Sequence, residues 1–199
     1  MKKVSIVFTA CQNEDVEVAR WSFISLSESM NKVLPVEFIL VMNGSDNTRM
    51  VDKMLFFSRL IDTFNRWSFK SSTLHIIHIP VSIVEARQQG ANLATGDWII
   101  YLDAGQQVAP NRLEVLNVYT RDFYPSSSVL FNSYTVLKKD TNVRADYFPS
   151  IWRDKELDIV SKNISIANFI GIAHKKSLNL EFHSELEFSK QLLLNNIPF

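Results

Sequence analysis

One stretch, residues 84–113, constrains the possible folds of this chain more than any other. Its first part, residues 84–94, predicts a helix, and residues 95–97 predict a turn. The apolar run 98–102 then has strand length and ends in Asp103. Because a carboxylate at the carboxyl end of a buried strand lies where open α/β sheets bind ligands, Asp103 is the first candidate site residue. The alternative is that it only closes the strand in a turn.

Three earlier apolar runs also have the length of buried parallel strands: residues 4–9, 36–42 and 74–79. Helical stretches with apolar residues near one face separate them. Strands and helices therefore alternate through the first half of the chain. Such alternation predicts an α/β protein with a mostly parallel sheet and right-handed crossover connections.

The second half of the chain is less regular. After Pro110 an amphipathic helix precedes a second apolar run, residues 129–137. A strand within ISIANFIGIAHKK and a final helix within SELEFSKQLLLNN end the chain. Residues 138–162 are mixed and charged and support no single interpretation.

Composition limits the class of protein. A chain of 199 residues suits one α/β domain with a single core. Its 21 basic and 21 acidic residues balance, so no global field favours nucleic acid or an acidic membrane. No apolar run reaches the roughly 18–20 residues that a membrane span needs. The lone Cys11 cannot form an internal disulfide, which fits a reducing compartment, and we predict a cytoplasmic protein.

The run GDWIIYLDAGQQVAP, preceded by ARQQGANLAT, resembles the nucleotide-sugar-binding core of family 2 glycosyltransferases. In that family a helix with Ala-Arg and Gly leads into a strand ending in Leu-Asp, followed by an acidic D-x-D-type motif and a proline. This chain keeps only Asp103 of the motif. The resemblance implies the glycosyltransferase A-type fold, a Rossmann-like three-layer α/β/α domain. Residues 1–115 would bind the nucleotide sugar and residues 116–199 the acceptor.

The exit of the first strand resembles the family's loop that holds the base and ribose, which assigns this role to Thr9, Ala10 and Asn13. The loop is one residue longer than the common form, so either Gln12 or Asn13 occupies the asparagine position. Asn13 can also cap the following helix, and the two roles are compatible.

The exit of the second strand resembles the family's D-D-G-S or N-N-G-S turn, whose acid or amide reads the edge of the base. Met42 takes the first position here, which leaves Asn43. An amide offers both a donor and an acceptor to a pyrimidine. An Asn-Gly turn is also ordinary loop punctuation.

Arg87 matches the arginine of the family's A-R-N-x-G helix, which meets the nucleotide or its diphosphate. A guanidinium group suits phosphate oxygens. The alternative is a solvent-facing arginine that pairs with Glu85 or Asp97. The resemblance gives Asp103 contact with the ribose or with Mg²⁺ or Mn²⁺. With one acid a cation site is possible but weakened, because these ions can use waters and substrate phosphates besides one carboxylate.

The segment Ser184–Phe188 resembles the family's E-D-x-E-F/W segment, whose aspartate is the general base. In this register Glu185 replaces that aspartate, Ser184 the acid before it and Gln191 a later arginine. Acids at a helix start are also stabilised by the helix dipole whatever their function. His183 or His174 could complete a metal site, although both residues more often have surface or packing roles.

The resemblance therefore implies an inverting glycosyltransferase. It would move a sugar from a nucleotide-diphosphate donor, UDP-linked, to a hydroxyl of a glycan, a lipid-linked acceptor or a protein. Gln-x-x-Arg-Trp, the motif of the family's processive members, is missing from the sequence, which argues against a polymerising synthase. The missing motif acids motivate the alternative, a catalytically degenerate nucleotide-sugar-binding protein of the same fold.

Overall fold

The computed structural model has a central sheet between two layers of helices. It describes residues 3–11, 16–30, 36–43, 51–52, 54–56, 58–59, 73–120, 129–131, 134–137, 144–147 and 172–194. The strands of the central sheet are β1 (Val4–Cys11), β2 (Val36–Asn43), β3 (Thr73–Ile79), β4 (Trp98–Asp103), β5 (Val129–Phe131) and β8 (Ile172–Lys175). A separate antiparallel pair consists of β6 (Tyr134–Leu137) and β7 (Arg144–Tyr147). The helices whose bounds are described are α1 (Val16–Met30), α2 (Ile83–Leu93), α3 (Arg112–Val118) and α4 (Glu185–Leu194), with a 3₁₀ turn at Lys176–Leu178.

The strand order in the central sheet is β3-β2-β1-β4-β8-β5. Neighbours among β3, β2, β1 and β4 are parallel, and β8 is antiparallel to both β4 and β5. The prediction of a mostly parallel sheet is therefore confirmed. The chain adds β2 and β3 on one side of β1 and then returns to place β4 on its other side. The carboxyl ends of β1 and β4 consequently form a topological switch point, where open α/β sheets bind ligands.

Both faces of the sheet are buried, which explains why its strands are continuous apolar runs. Alternate strand residues enter two separate cores. Ile6, Phe8, Phe38 and Ile100 pack on the face covered by α1 and α3. Val7, Ile39, Val41, Ile99 and Tyr101 pack on the face covered by α2 and α4. In β1, β2 and β4, even-numbered residues therefore lie on the α1 face and odd-numbered residues on the α2 face.

Helix α2 approaches the sheet closely at Gly90. A Cβ atom at this position would lie 2.4 Å from Cγ1 of Val7 and 3.1 Å from Cγ2 of Val41. The helix begins with a capping box, in which the Ser82 hydroxyl accepts the Glu85 N–H and the Glu85 carboxylate accepts the Ser82 N–H. The glycine and the cap together determine how deep α2 sits and where its first turn begins.

A buried carboxylate holds the opposite, amino-terminal edge of the sheet. Glu37 on β2 accepts hydrogen bonds from the Ser5 hydroxyl at 2.5 Å, the Thr95 N–H at 2.8 Å and the Lys3 ammonium at 3.1 Å. Burial alone would raise the pKa of Glu37, but these hydrogen bonds lower it to about 2. The charged carboxylate thus connects β1 and β2 to the turn that leads into β4.

The structure shows what the apolar run 129–137 forms. This apolar run forms two strands, β5 and β6, in two different sheets. Within the uninterpreted segment 138–162, the described residues Arg144–Tyr147 form β7, which pairs with β6. In the described part of the chain, no helix combines the length and the apolar character that crossing a membrane requires.

Candidate functional site

Thr9 and Asp103 meet at the switch point. They are register partners on the parallel strands β1 and β4, and both are buried. The Thr9 hydroxyl donates a hydrogen bond to Oδ1 of Asp103. The Ala104 N–H donates to the Thr9 carbonyl oxygen at 2.8 Å, which continues the pairing one residue beyond the strand.

Arg87 on α2 completes a buried ion pair with Asp103. Its Nε donates to Oδ1 at 3.1 Å and its NH2 group to Oδ2 at 2.5 Å. Arg87 is 5% exposed and Asp103 is 7% exposed. The alternative of a solvent-facing Arg87 that pairs with Glu85 or Asp97 is therefore wrong. The arginine of the motif helix and the aspartate at the strand end form one unit.

Gln106 closes this unit from the loop after β4. Its Nε2 donates to Oδ2 of Asp103 at 2.9 Å, and its Oε1 accepts the Asp103 N–H at 3.0 Å. Thr9, Arg87, Asp103 and Gln106 are called the Asp103 cluster below. Gln106 occupies a position where the resemblance leads one to expect a further acid, yet it contributes a donor.

The Asp103 cluster does not fit a divalent cation. A carboxylate offers about four lone-pair sites. Within the described residues, four hydrogen bonds already reach Asp103, two from Arg87 and one each from Thr9 and Gln106. The described part of the chain also contains no group of three or more His, Cys, Asp or Glu side chains that could hold a metal.

Helix α1 positions the loop that follows Asp103. The hydroxyl oxygens of Ser22, Ser25 and Ser29 accept hydrogen bonds from three backbone N–H groups of this loop and of α3. The donors are Gly105 at 2.8 Å, Val108 at 3.0 Å and Leu113 at 3.2 Å. The sequence interpretation missed this row. The serines could have been recognised from their spacing of three and four residues along one face of α1.

Asn43 ends β2 beside the Asp103 cluster. Thr9 pairs with Val41, so Asn43 lies two residues farther along the neighbouring strand. Its residue number is odd, as are those of Thr9 and Asp103, so it belongs to the sheet face that α2 covers. Asn43 is 6% exposed, and its Oδ1 has no hydrogen-bond partner among the described residues. A buried acceptor left in this state costs about 1–3 kcal/mol, which marks the atom as a candidate ligand contact.

The remaining candidates at this edge lie at or just beyond the ends of β1 and β2. Ala10 and Met42 are fully buried in the core on the α1 face. Only the backbone of Ala10 could therefore line the site. Gln12 and Asn13 lie outside the described residues, and their proposed roles remain predictions.

The polar residues at the start of α4 form hydrogen bonds that stabilise the end of the helix. The Ser184 hydroxyl accepts the Glu187 N–H at 3.1 Å, and the Glu187 carboxylate accepts the His183 N–H at 2.7 Å. Ser184 and Glu187 therefore cap the helix, a role that the sequence interpretation of this segment did not include. Glu185 is the first helical residue, but its side chain lies outside the described part, so its role as general base remains a prediction.

Two glutamines connect α4 to the rest of the site. Gln88, adjacent to Arg87 on α2, accepts the Phe182 N–H at 2.8 Å and donates to the Leu180 carbonyl oxygen at 3.1 Å. Gln191 on α4 exchanges hydrogen bonds with both backbone groups of Glu181. The segment that leads into Glu185 is thus bound directly to the helix that carries Arg87.

His174 has the packing role that the sequence favoured over metal ligation. The ring is 2% exposed, with its centroid 5.7 Å from that of Tyr101 and 5.9 Å from that of Phe188. Its Nδ1 donates to the Lys175 carbonyl oxygen at 3.0 Å, and its Nε2 accepts from the Tyr101 hydroxyl at 2.9 Å. Burial lowers the pKa of His174 to about 4. His183 is exposed near the start of α4.

Because His174 is buried in its neutral form, acid should destabilise the protein. An unfolded histidine has a pKa near 6.5, so its stabilising contribution is complete above that pH and is lost as the pH falls from about 6.5 to about 4. We expect the free energy of unfolding in urea to fall by about 2–3 kcal/mol between pH 7 and pH 4.5 through this group. His174→Gln should remove that part of the pH dependence, and the exposed His183→Gln should keep it. An equal slope in wild type and His174→Gln would contradict the assignment.

A parallel sheet with helices on both faces and a polar cluster at its switch point defines the Rossmann-like class of nucleotide-handling α/β proteins. Within that class, the model of Glycosyl transferase family 2 matches residues 6–156. This match covers well over half of the chain, so the chain belongs to glycosyl transferase family 2. The resemblance drawn from the sequence is confirmed.

Solved structures support the same fold. A crystal structure of S. aureus TarS 1–349 has a TM-score of 0.64 at 14% identity and covers 98% of this chain and 56% of that chain. Its complex with UDP-GlcNAc has a TM-score of 0.65 at 15% identity and covers 99% and 55%. This chain thus spans about half the length of these structures, and the likeness establishes the glycosyltransferase A-type fold. No curated protein sequence matches the chain significantly.

Proposed function

We propose that this protein is an inverting glycosyltransferase that moves a sugar from a UDP-linked donor to an acceptor hydroxyl. Residues 1–115 hold the donor, and residues 116–199 contribute the acceptor side. One observation carries the proposal: the buried Oδ1 of Asn43, without a partner among the described residues, lies at the switch-point edge beside the Asp103 cluster. Family membership and the similar structure solved with UDP-GlcNAc support it.

The chemistry of Asn43 suits uracil. The N3–H of uracil donates one hydrogen bond, which the Oδ1 of Asn43 accepts, and an adjacent uracil carbonyl accepts from the Asn43 amide N–H. Thr9 and Arg87 are held on the same edge by Asp103, so this side of the site is preorganised before the nucleotide binds. Preorganisation reduces the entropy lost on binding.

On the acceptor side, Glu185 takes the proton of the acceptor hydroxyl as general base. The acceptor oxygen forms a bond to the anomeric carbon on the face opposite the nucleotide. The bond from that carbon to the diphosphate oxygen breaks, and UDP leaves with the electron pair. Positioning of the two substrates supplies much of the rate by making the encounter effectively unimolecular.

Titration calorimetry with UDP tests the donor assignment. Asn43→Leu keeps the branched shape of the side chain but removes both hydrogen-bonding groups. We expect UDP affinity to fall by about tenfold or more, the equivalent of one or two lost hydrogen bonds. Asn111→Leu is the matched control, because Asn111 is exposed and caps no helix through its side chain. No UDP binding by the wild type, or equal losses in both variants, would refute the donor assignment.

The same preparations decide between enzyme and binding protein. The rival, a degenerate nucleotide-sugar-binding protein, is favoured by the structural roles of Ser184 and Gln106 at positions where acids were expected. Release of UDP from UDP-sugars in the presence of candidate acceptors should be lost in Glu185→Gln, while UDP affinity stays unchanged. UDP binding with no turnover in wild type, unaltered in Glu185→Gln, would favour the rival.

A further inference from the structure

We infer that Asp103 holds Arg87 instead of a divalent cation, and that this site binds its nucleotide without Mg²⁺ or Mn²⁺. The part of the inference that concerns nucleotide binding rests on the proposed function. The part that concerns metal binding depends on the Asp103 cluster alone. It makes Asp103 a positioning residue, whose carboxylate orients a guanidinium group.

The first argument is the occupancy of the carboxylate. Each oxygen of Asp103 accepts two hydrogen bonds from the described residues: Oδ1 from Thr9 and from Nε of Arg87, and Oδ2 from NH2 of Arg87 and from Gln106. Bidentate pairing with arginine is among the strongest arrangements available to a carboxylate. A metal ligand would have to give up at least one of these bonds.

The second argument is charge. The Arg87 guanidinium is permanently positive and lies in direct contact with the carboxylate that ends β4. A divalent cation at Asp103 would be placed beside that positive charge, in a buried site where water screens poorly. The ion pair already neutralises Asp103, so a cation gains little attraction in return.

The third argument concerns the positions that could supply a second acid. Gly105 has a φ of 91°, a conformation that L side chains rarely adopt, so an aspartate there would be strained. Gln106 uses its amide N–H to bond the Asp103 carboxylate, which a glutamate could not do. The loop sequence Ala-Gly-Gln therefore suits a site in which Asp103 is the single acid and accepts hydrogen bonds from protein donors.

The nucleotide arm of the test is calorimetric titration of the whole chain with UDP in buffers that contain Mn²⁺, Mg²⁺ or EDTA. We expect the three dissociation constants to agree within about threefold. Weakening by more than that in EDTA would overturn the inference while leaving the proposed function in place. Failure to bind UDP in every buffer would count against the proposed function, and the metal arm would then decide the inference.

The metal arm measures Mn²⁺ binding by electron paramagnetic resonance, without nucleotide. Wild type should hold no more Mn²⁺ than Asp103→Asn. An Mn²⁺ site that is lost in Asp103→Asn would overturn the inference. Since Asp103→Asn leaves Arg87 buried without its charge partner and could fail to fold, a second pair of variants is needed.

Gln106→Glu replaces the donor with a second carboxylate, and Gln107→Glu makes the same charge change at the neighbouring exposed residue. We expect Gln106→Glu to gain at least about tenfold in Mn²⁺ affinity over wild type and Gln107→Glu to gain nothing comparable. A gain in Gln106→Glu supports the view that the glutamine amide closes the site. Tight Mn²⁺ binding already present in wild type would overturn the inference. Equally weak Mn²⁺ binding in all three proteins would support exclusion of the cation by Arg87 and contradict only the role given to Gln106.

Discussion

Replacing Arg87 with methionine is expected to lower the free energy of unfolding by about 3–5 kcal/mol, because Asp103 would stay buried without its charge partner. Methionine preserves much of the length and apolar volume of the arginine stem, so little of the loss comes from a cavity. Urea unfolding at neutral pH measures the effect. Gln89→Met, on the exposed face of the same helix, should change stability by less than about 0.5 kcal/mol.

A double variant separates the ion pair from general damage to α2. When both charges are replaced, as in Arg87→Met with Asp103→Leu, no buried charge is left unpaired, and such replacements are often close to neutral. The double variant should therefore be more stable than Arg87→Met alone. Additive costs, or a loss below about 1 kcal/mol in the single variant, would contradict the buried pair.

Gly90→Ala is expected to destabilise the protein by about 2–3 kcal/mol, although alanine is the better helix former. The reason is steric: the new Cβ would lie 2.4 Å from Cγ1 of Val7, and a β-branched residue in a central strand has little freedom to move. The helix must shift outward, and Arg87 moves with it away from Asp103. Thermal and urea unfolding should report the loss, and UDP affinity should fall in parallel.

Val7→Ala removes the methyl group that the new Cβ would contact. This variant therefore tests whether that contact causes the loss of stability in Gly90→Ala. The cost of Gly90→Ala should be smaller in the Val7→Ala background than in wild type, which gives a measurable coupling between the two sites. Gln89→Ala, on the exposed face one residue away, serves as the control and should have almost no effect. A cost for Gly90→Ala that is the same in both backgrounds would rule out the contact as its origin.

These two predictions concern one structural unit. Gly90 sets the depth of α2 on the sheet, and Arg87 lies one helical turn earlier on the same helix. The spacing between the arginine and the glycine in the motif thus has a mechanical explanation. The glycine lets the helix come close enough for the arginine to reach the end of β4.

Much of the architecture was predictable because its signals are local. The runs 36–42 and 74–79 became β2 and β3 with boundaries shifted by one residue, and Asp103 does end β4 at the predicted ligand-binding edge. Covered parallel strands need uninterrupted apolar residues, so their sequence shows where they begin and end. The family resemblance came from the same stretch, in which helix, turn and strand follow one another in fixed order.

The partners of the site residues were not predictable. The sequence predicts that Arg87 meets the nucleotide or its diphosphate, with Glu85 or Asp97 as the alternative partners. The structure pairs it with Asp103, which Arg87 reaches only through the packing of α2 on the sheet. His174 was a possible metal ligand until its pairing with Tyr101 became visible. Strand register brings such residues together, and a shift of one residue would place them on opposite faces.

The sequence by itself determined the α/β class, the order of strands and helices along the chain, and the edge at which Asp103 lies. Only the tertiary structure decided that the Asp103 carboxylate accepts hydrogen bonds from Thr9, Arg87 and Gln106. It also decided that the buried Oδ1 of Asn43 has no hydrogen-bond partner in the described residues. The physical reason is the distance along the sequence over which each kind of interaction acts. Apolar periodicity acts over neighbouring residues, whereas hydrogen bonding at a strand end depends on which distant segments the sheet and helices bring into contact.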